Sequence, residues 1–516
     1  MDLTNIDTLS ALFLHALGFW WIIVPAVLIG IVMGAIPGFA AHNTIIILLP
    51  LTLAFDVETA LVFMTALYCA SHLGGGIPAI LLNIPGTGGA AATTLDGYAM
   101  TRKGEAAKAL TLCFVASVLG GLISSLVTLF ALPVLAKAGY YMHSVEMVIV
   151  MLFGLALIAA IAAKDMLKGL IAGAFGLMLG SMGADHIYAA PRGTFGLLEL
   201  FDGVPLVPAL VGLFAISEAL VMIEQRSIVA AGGTVKHAGW RETLRHFAFA
   251  FSRWWQITWT SLLGLIIGVL PGAGASIAAF VAYQQSRLYS KTPELYGTGH
   301  PDGVIAPESA NNGVTTGTMV PLLAIGIPGG STAAVMMIVL QYHGFPFGPR
   351  LFIESPMLAY GVIVAMAVSY LLMLITIFPM ARYMSRVAVV PTAYLAPIIV
   401  AFTLVGAFVP RTFIFDMGVA FAFGILGYIA RKTGYHVAAI LIGIILGPLI
   451  ERSFMLAMRI SGDDPMVMFS SNIGNVLWVC LILTLALPPL IEWRRKKRAA
   501  AGEGENRKIQ EIRSKR

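Results

Sequence analysis

Residues 74–91 read GGGIPAILLNIPGTGGAA, and residues 317–334 read GTMVPLLAIGIPGGSTAA; they align without a gap at an offset of 243. Seven of the 18 positions are identical: Gly74/Gly317, Pro78/Pro321, Ile84/Ile327, Pro85/Pro328, Gly86/Gly329, Ala90/Ala333 and Ala91/Ala334. A second pair lies upstream. GIVMGAIPG at 30–38 and GLIIGVLPG at 264–272 share the pattern G-x-x-x-G-x-x-P-G at an offset of 234. The landmarks keep their order, which argues for an internal duplication. Each ends in Pro-Gly. Proline removes a backbone donor and breaks the helical ladder. Glycine permits the left-handed or extended backbone that follows a break. In hydrocarbon, such backbone is tolerated only where it is buried in protein or lines a wet cavity. Paired Gly/Pro interruptions at matching positions of two halves are the sequence mark of a transporter's central site.

The composition demands a membrane. Of 516 residues, 58% are hydrophobic and only 11% charged, with a mean hydropathy of +0.88. A soluble domain carries about 25% charged residues, so this chain cannot cover a water-facing surface. The pI of 9.1 could suggest a nucleic-acid partner, but the basic excess sits at one end. Residues 492–516 hold ten Lys/Arg against four Glu, which accounts for the whole net charge of +6. The block Arg494–Arg498 directly follows the last apolar run. By the positive-inside rule this basic tail lies in the cytoplasm. The N-terminus does not read as a secretory signal, which needs a basic n-region, because the first Lys or Arg is Arg102. Cys69, Cys113 and Cys480 are scattered through apolar segments and indicate neither a disulfide framework nor a structural metal site. No cofactor is expected.

Apolar runs predict helical spans at 18–36, 57–73, 106–135, 144–163, 166–184 and 206–223, then at 254–270, 357–378, 391–409, 414–430, 435–450 and 472–491. Residues 43–55, 77–86 and 319–328 are too short to span comfortably and suit re-entrant or interrupted segments. The expected class is an all-α polytopic membrane protein of about 12 helical segments in two repeats, each span taking about 20 residues. Residues 1–223 form repeat 1 and residues 254–491 form repeat 2. Residues 224–253 contain five Lys/Arg against two Glu and read as a cytoplasmic linker, with an amphipathic surface helix over 240–251.

Each break frees two kinds of ligand. Carbonyls at a helix C-terminal end suit a cation, and N–H groups at the next helix start suit an anion. Candidate cation ligands are therefore Gly38, Pro85, Gly86, Gly272, Pro328 and Gly329. The small and hydroxylated residues after the IPG breaks, Thr87, Gly88, Gly89, Gly330, Ser331 and Thr332, are candidates for an anionic substrate. The stretch GVIAPESANNGVTTG at 303–317 adds Glu308, Asn311 and Asn312. A carboxylate at membrane depth is a functional hypothesis by default. Glu308 follows Pro307, which suits the first turn of a helix. Adjacent helical residues point about 100° apart, so Asn311 and Asn312 can share one ligand only if the backbone is irregular, which Gly313 permits. An acidic group beside an anionic substrate would repel it. Glu308 and Asn311 are therefore assigned to the cation, and Asn312 with Asn43 to the substrate. His42 reads as a structural hydrogen-bonder.

The combination of GAIPGFAAHNT at 34–44, IPGTGGAAATTLDGY at 84–98, LPGAGASIAAF at 270–280, GVIAPESANNG at 303–313 and PLLAIGIPGGSTAAV at 321–335 resembles the large permease subunit of the tripartite tricarboxylate transporters, the TctA type. The resemblance spans most of the chain. It implies a bacterial inner-membrane importer of carboxylates driven by an ion gradient, commonly sodium. It also implies a periplasmic solute-binding protein and a small membrane subunit as partners. The implied fold is two inverted repeats with hairpin tips meeting near mid-membrane. Rival classes are a stand-alone carboxylate exchanger, a channel and an intramembrane enzyme. No H-E-x-x-H or G-K-[ST] motif supports the enzyme, and two broken repeats in one chain fit alternating access better than a pore.

Overall fold

A computed structural model describes residues 5–36, 41–139, 141–162, 165–184, 190–224, 239–380, 392–486 and 490. Among them the only strands are the two-residue antiparallel pair Gly183–Ala184 and Pro191–Arg192. Six helices are long and apolar enough to cross a membrane: Val57–Leu82, Ala106–Val134, Leu206–Glu224, Pro356–Ile377, Ile414–Thr433 and Val437–Ile460. Ile6–Gly18 and Trp20–Gly34, bent by 64° at their junction, form a seventh candidate. The expected all-α polytopic class is therefore the observed one.

The predicted spans coincide with helices; of the helices outside them, which include Thr93–Arg102 and Ser331–Tyr342, three bear on the reading above. Ile6–Gly18 and Gly274–Tyr289 mix polar residues into their apolar faces, which dilutes the hydropathy signal. The third, Asp302–Ile325, runs unbroken through the APESANNG stretch, with Pro307 and Pro321 inside it. Glu308 is thus not in a first turn, which belongs to Asp302. Nor does Gly313 make the backbone irregular. Its role is close approach, since a Cβ built on it would lie 2.4 Å from the Ser261 carbonyl oxygen.

The two copies of each landmark fold alike. A Cβ on Gly34 would lie 2.2 Å from Ser71 O, and one on its counterpart Gly268 would lie 2.9 Å from Val314 O; likewise one on Gly30 would meet Leu67 O at 2.9 Å and one on Gly264 would meet Ala310 O at 2.2 Å. A Cβ on Gly74 would meet the Gly34 Cα at 3.1 Å, and one on Gly317 would meet the Gly268 Cα at 2.8 Å. In each half the G-x-x-x-G face lies directly against the helix that carries the second landmark, because without side chains the two backbones can touch. Gly264→Ala is accordingly expected to cost about 1–3 kcal/mol through overpacking against backbone that cannot retreat. A drop in detergent melting temperature with retained membrane insertion would check this.

The IPG tips match as well. Asn83 (φ 59°) and Gly326 (φ 77°) end their helices in the left-handed conformation. Ile84 N–H then donates to Pro78 O at 3.3 Å, and Ile327 N–H to Pro321 O at 3.2 Å. The chain folds back until Gly86 and Gly329 lie against those same prolines, a built Cβ being 3.0 Å from each Cγ. Residues 225–238 of the linker, the basic tail from 491 and Gly38 lie outside the described residues. The amphipathic helix next to the linker is present as Trp240–Ser252.

Candidate functional site

A cavity of 410 Å³ lies where the two tips meet the second Pro-Gly break. Its wall takes Thr87–Gly89 from the first tip and Gly329–Thr332 from the second. Gly272–Ile277 comes from the second Pro-Gly break, and His42, Tyr68, His72 and His436 complete the polar lining. Four helices begin at this wall: Ala41–Thr52, Gly274–Tyr289, Ser331–Tyr342 and Val437–Ile460. The first N–H groups of a helix have no intrahelical acceptor, and each start carries roughly half a positive charge. Among the described residues the lining contains no Asp, Glu, Lys or Arg. Its electrostatics therefore come from converging helix starts, hydroxyls and imidazoles, which favour an anion.

The tips are pinned to the second break. Gly272 N–H donates to Gly329 O at 3.1 Å. Gly88 faces Ser276, whose Oγ lies 2.5 Å from where a Cβ would stand, and Gly89 abuts Ala275. Asn311 reaches the site from the buried side of helix Asp302–Ile325. Its amide contacts His72 twice, with Oδ1 to Nδ1 at 2.8 Å and Nδ2 donating to the His72 carbonyl at 3.3 Å. A Cβ on Gly89 would fall 1.8 Å from the Asn311 Oδ1. On the adjacent face Tyr68 Oη meets Thr318 Oγ1 at 3.1 Å.

Of the residues singled out in the sequence, Thr87, Gly88, Gly89, Gly272, Gly329, Gly330, Ser331 and Thr332 are brought together on one wall. Pro85, Gly86 and Pro328 belong to the tips but do not line the cavity. Asn43 is fully buried just beyond His42, off the lining. Asn312 points away from Asn311, as regular helix geometry requires. Tyr370 Oη donates to Asn312 Oδ1 at 3.3 Å, and Asn312 Nδ2 donates to the Glu308 carbonyl at 3.2 Å. Glu308 also lies off the cavity, fully buried, accepting from Thr93 Oγ1 at 2.6 Å and Ser117 Oγ at 3.0 Å. Its surroundings tie helix Asp302–Ile325 to the first half. His42, Tyr68, His72, Ser276 and His436 line the cavity without having been assigned to it from sequence. The signal for Ser276 was its place after the second Pro-Gly, where the first half has His42. Tyr68, His72 and His436 carried none. Among the described residues no three of His, Cys, Asp and Glu are grouped to hold a metal.

A sequence model of the tripartite tricarboxylate transporter TctA family matches residues 20–442. An uncharacterized 52.8 kDa protein of the TAR-I ttuC' 3'region of Agrobacterium vitis is 34% identical over 475 residues, covering 91% of this chain and 93% of that protein. A second, from the TAR-II ttuC' 3'region of the same organism, is 35% identical over 236 residues, covering 45% of this chain and 97% of its own length. No solved structure matches the chain. With the match running through both tips and the second break that build the cavity, the chain belongs to the tripartite tricarboxylate transporter TctA family, whose members are the large membrane subunit of such transporters.

Proposed function

We propose that the chain imports carboxylates by alternating access, driven by a cation gradient, with the cavity between the tips as the substrate site. The carrying observation is the convergence of four helix starts on one space with no acidic lining among the described residues. A cavity of 410 Å³ suits a small di- or tricarboxylate. Carboxylate oxygens accept from the N–H groups at Gly88–Gly89 and Gly330–Ser331 and from the hydroxyls of Ser276, Ser331 and Thr332. Partners are a small membrane subunit and a periplasmic solute-binding protein in the bacterial inner membrane, and sodium is the coupling ion.

Sidedness follows from the basic linker and tail, taken as cytoplasmic. The Glu224–Lys432 ion pair and the bond from Lys168 Nζ to Thr433 O gather three helix ends on the linker side. Helix Val437–Ile460 starts on that side, where Ala438 and Ile442 line the substrate cavity. Further along the same helix, Ile444, Pro448, Glu451 and Arg452 line a second cavity of 450 Å³, which also holds Arg192 and Gln341. This second space faces the periplasm and receives substrate from the binding protein. Helix Trp254–Val269 enters from the linker side, its neighbour Arg253 pairing with Asp302 at 3.5 Å. Helix Trp20–Gly34 enters from the other, beside the His15–Glu58 contact of 2.6 Å. That arrangement supports inverted repeats.

The test is uptake into proteoliposomes containing the chain, its small partner and the cognate binding protein, across a carboxylate panel with and without an inward sodium gradient. Asn311→Ala is expected to lower uptake about a hundredfold, because it removes the group that holds His72 and the first tip. Asn312→Ala removes contacts to Tyr370 and the helix backbone, so its cost falls on stability. Uptake lost in Asn312→Ala at full stability, and retained in Asn311→Ala, would overturn this assignment of the wall. Uptake indifferent to sodium and binding protein would favour a stand-alone exchanger.

A further inference from the structure

Helix Trp240–Ser252 lies at the joint between the two halves, and its sides differ. Phe247 and Ala250, 8% and 0% exposed, face inward, where the helix packs on the first-half helix Ala106–Val134. Leu244, Ala248 and Phe251 share a second side, at i, i+4 and i+7 spacing. That side is uncovered: Leu244 is 54% and Phe251 42% exposed, and Ala248 is exposed with them. Arg241 and Arg245, both exposed, border it. Around the helix axis each lies within about 60° of Ala248. Glu242, the one acidic residue of this helix, is turned about 120° or more from the apolar side.

The neighbouring cations are already matched. Lys108 pairs with Glu105 at 3.2 Å, and Arg253 pairs with Asp302 at 3.5 Å. Both also lie over the Phe249 ring, 6.0 and 5.2 Å from its centroid, which ties that edge of the helix to the protein. Burial holds the His246 imidazole below its ordinary value, against the pull of Glu242 and Glu105, so it adds no charge near neutral pH. Arg241 and Arg245 make no hydrogen bond or ion pair among the described residues. Their charge is left for something outside the chain.

The helix leads directly into the membrane. Its C-cap, Arg253, is the N-cap of helix Trp254–Val269. Trp254 and Trp255 stand at that entry, 62% and 66% exposed. Exposed tryptophans at the end of a span mark the membrane–water interface. The apolar side therefore meets acyl chains, and the arginine edge lies at headgroup level. A partner's transmembrane helix would have to bring carboxylates to membrane depth to match the arginines, which is costly. A phosphodiester at headgroup level carries the matching charge without that cost.

We infer that this helix holds an anionic phospholipid of the phosphatidylglycerol type, with the phosphodiester on Arg241 and Arg245 and an acyl chain along Leu244, Ala248 and Phe251. Because the helix packs on the first half and leads into the second, the bound lipid fixes the joint between them at the membrane surface.

The test is quenching of tryptophan fluorescence by brominated lipids. The full chain is placed in phosphatidylcholine vesicles, and brominated phosphatidylglycerol or brominated phosphatidylcholine is added in turn. Phosphatidylglycerol is expected to quench at the lower membrane fraction. Arg241→Gln/Arg245→Gln should reduce that preference about tenfold. Arg241→Lys/Arg245→Lys, which keeps the charge, should retain most of it. Neither pair touches the core, so both variants should fold. Inorganic phosphate should not compete, because it has no acyl chain to lay on the apolar side. Equal quenching by the two lipids, a preference unchanged in the glutamine pair, or displacement by inorganic phosphate would overturn the inference. Loss of the preference on adding the small membrane subunit would overturn it too and make this side that subunit's seat. The assay needs no transport, so its outcome stands apart from the carboxylate reading.

Discussion

Gly89→Ala is expected to reduce uptake about a hundredfold while the protein remains folded and inserted. The added methyl would fall 1.8 Å from the Asn311 Oδ1 and 2.9 Å from the Ala275 Cβ. Neither contact is backbone, so the tip can shift without unfolding the bundle. The shift displaces an amide that His72 holds by two hydrogen bonds, and so disturbs the first tip, His72 and the second break together. Gly330 provides the contrast. Its backbone is extended (φ −174°, ψ −178°) and the nearest atom to a built Cβ is Thr318 Cγ2 at 3.8 Å. Gly330→Ala should therefore fit, and any effect there raises the apparent KM by crowding the substrate. If Gly89 acts through Asn311, the double variant Gly89→Ala/Asn311→Ala should be no worse than Asn311→Ala alone. Wild-type uptake in Gly89→Ala would sink this account of the tip.

The matching tips were legible because proline and glycine state their backbone consequences locally. Pro78/Pro321 and Gly86/Gly329 lie in equivalent turns, as the alignment required. The lining hydroxyls after each IPG were legible for the same reason. The polar stretch 303–317 was read less well. Its composition resembles an irregular loop, yet it is a buried helix whose polar groups bond across to other helices: Glu308 to Thr93 and Ser117, Ser309 to Thr260 at 2.9 Å, Thr315 to Tyr370 at 2.8 Å. Those partners lie 49 to 215 residues away, and no local pattern names them. Tyr68, His72 and His436 were likewise invisible as lining. Tyr68 is a lone polar residue in an apolar run, His72 follows Ser71 near a helix end, and His436 follows the polar stretch Arg431–Tyr435; only the tertiary packing turns them toward the cavity.

Asp96→Ala is expected to destabilise the protein by about 3 kcal/mol or more, although Asp96 lies off the cavity. This carboxylate is fully buried and accepts four kinds of bond: from the N–H groups of Gly297 at 2.9 Å, Gly299 at 2.6 Å and His300 at 2.7 Å, and from Tyr283 Oη at 2.9 Å. It also sits on the first turn of helix Asp302–Ile325, where a Cβ on Gly303 would be 2.0 Å from its Oδ2. A first-half anion thus satisfies the start of the second-half helix that carries Asn311, where the positive helix end favours it. Removing it strands three backbone donors at once and frees the loop before that helix. Asp96→Asn, which keeps one acceptor oxygen but loses the charge, should fall between alanine and wild type. Detergent melting curves, with limited proteolysis at 290–301, would check this. A wild-type melt with an unchanged cleavage pattern in Asp96→Ala would show that the loop is held by something else. Uptake should fall with the folded fraction and no faster, because Asp96 acts on the frame that places Asn311 and touches nothing in the cavity itself.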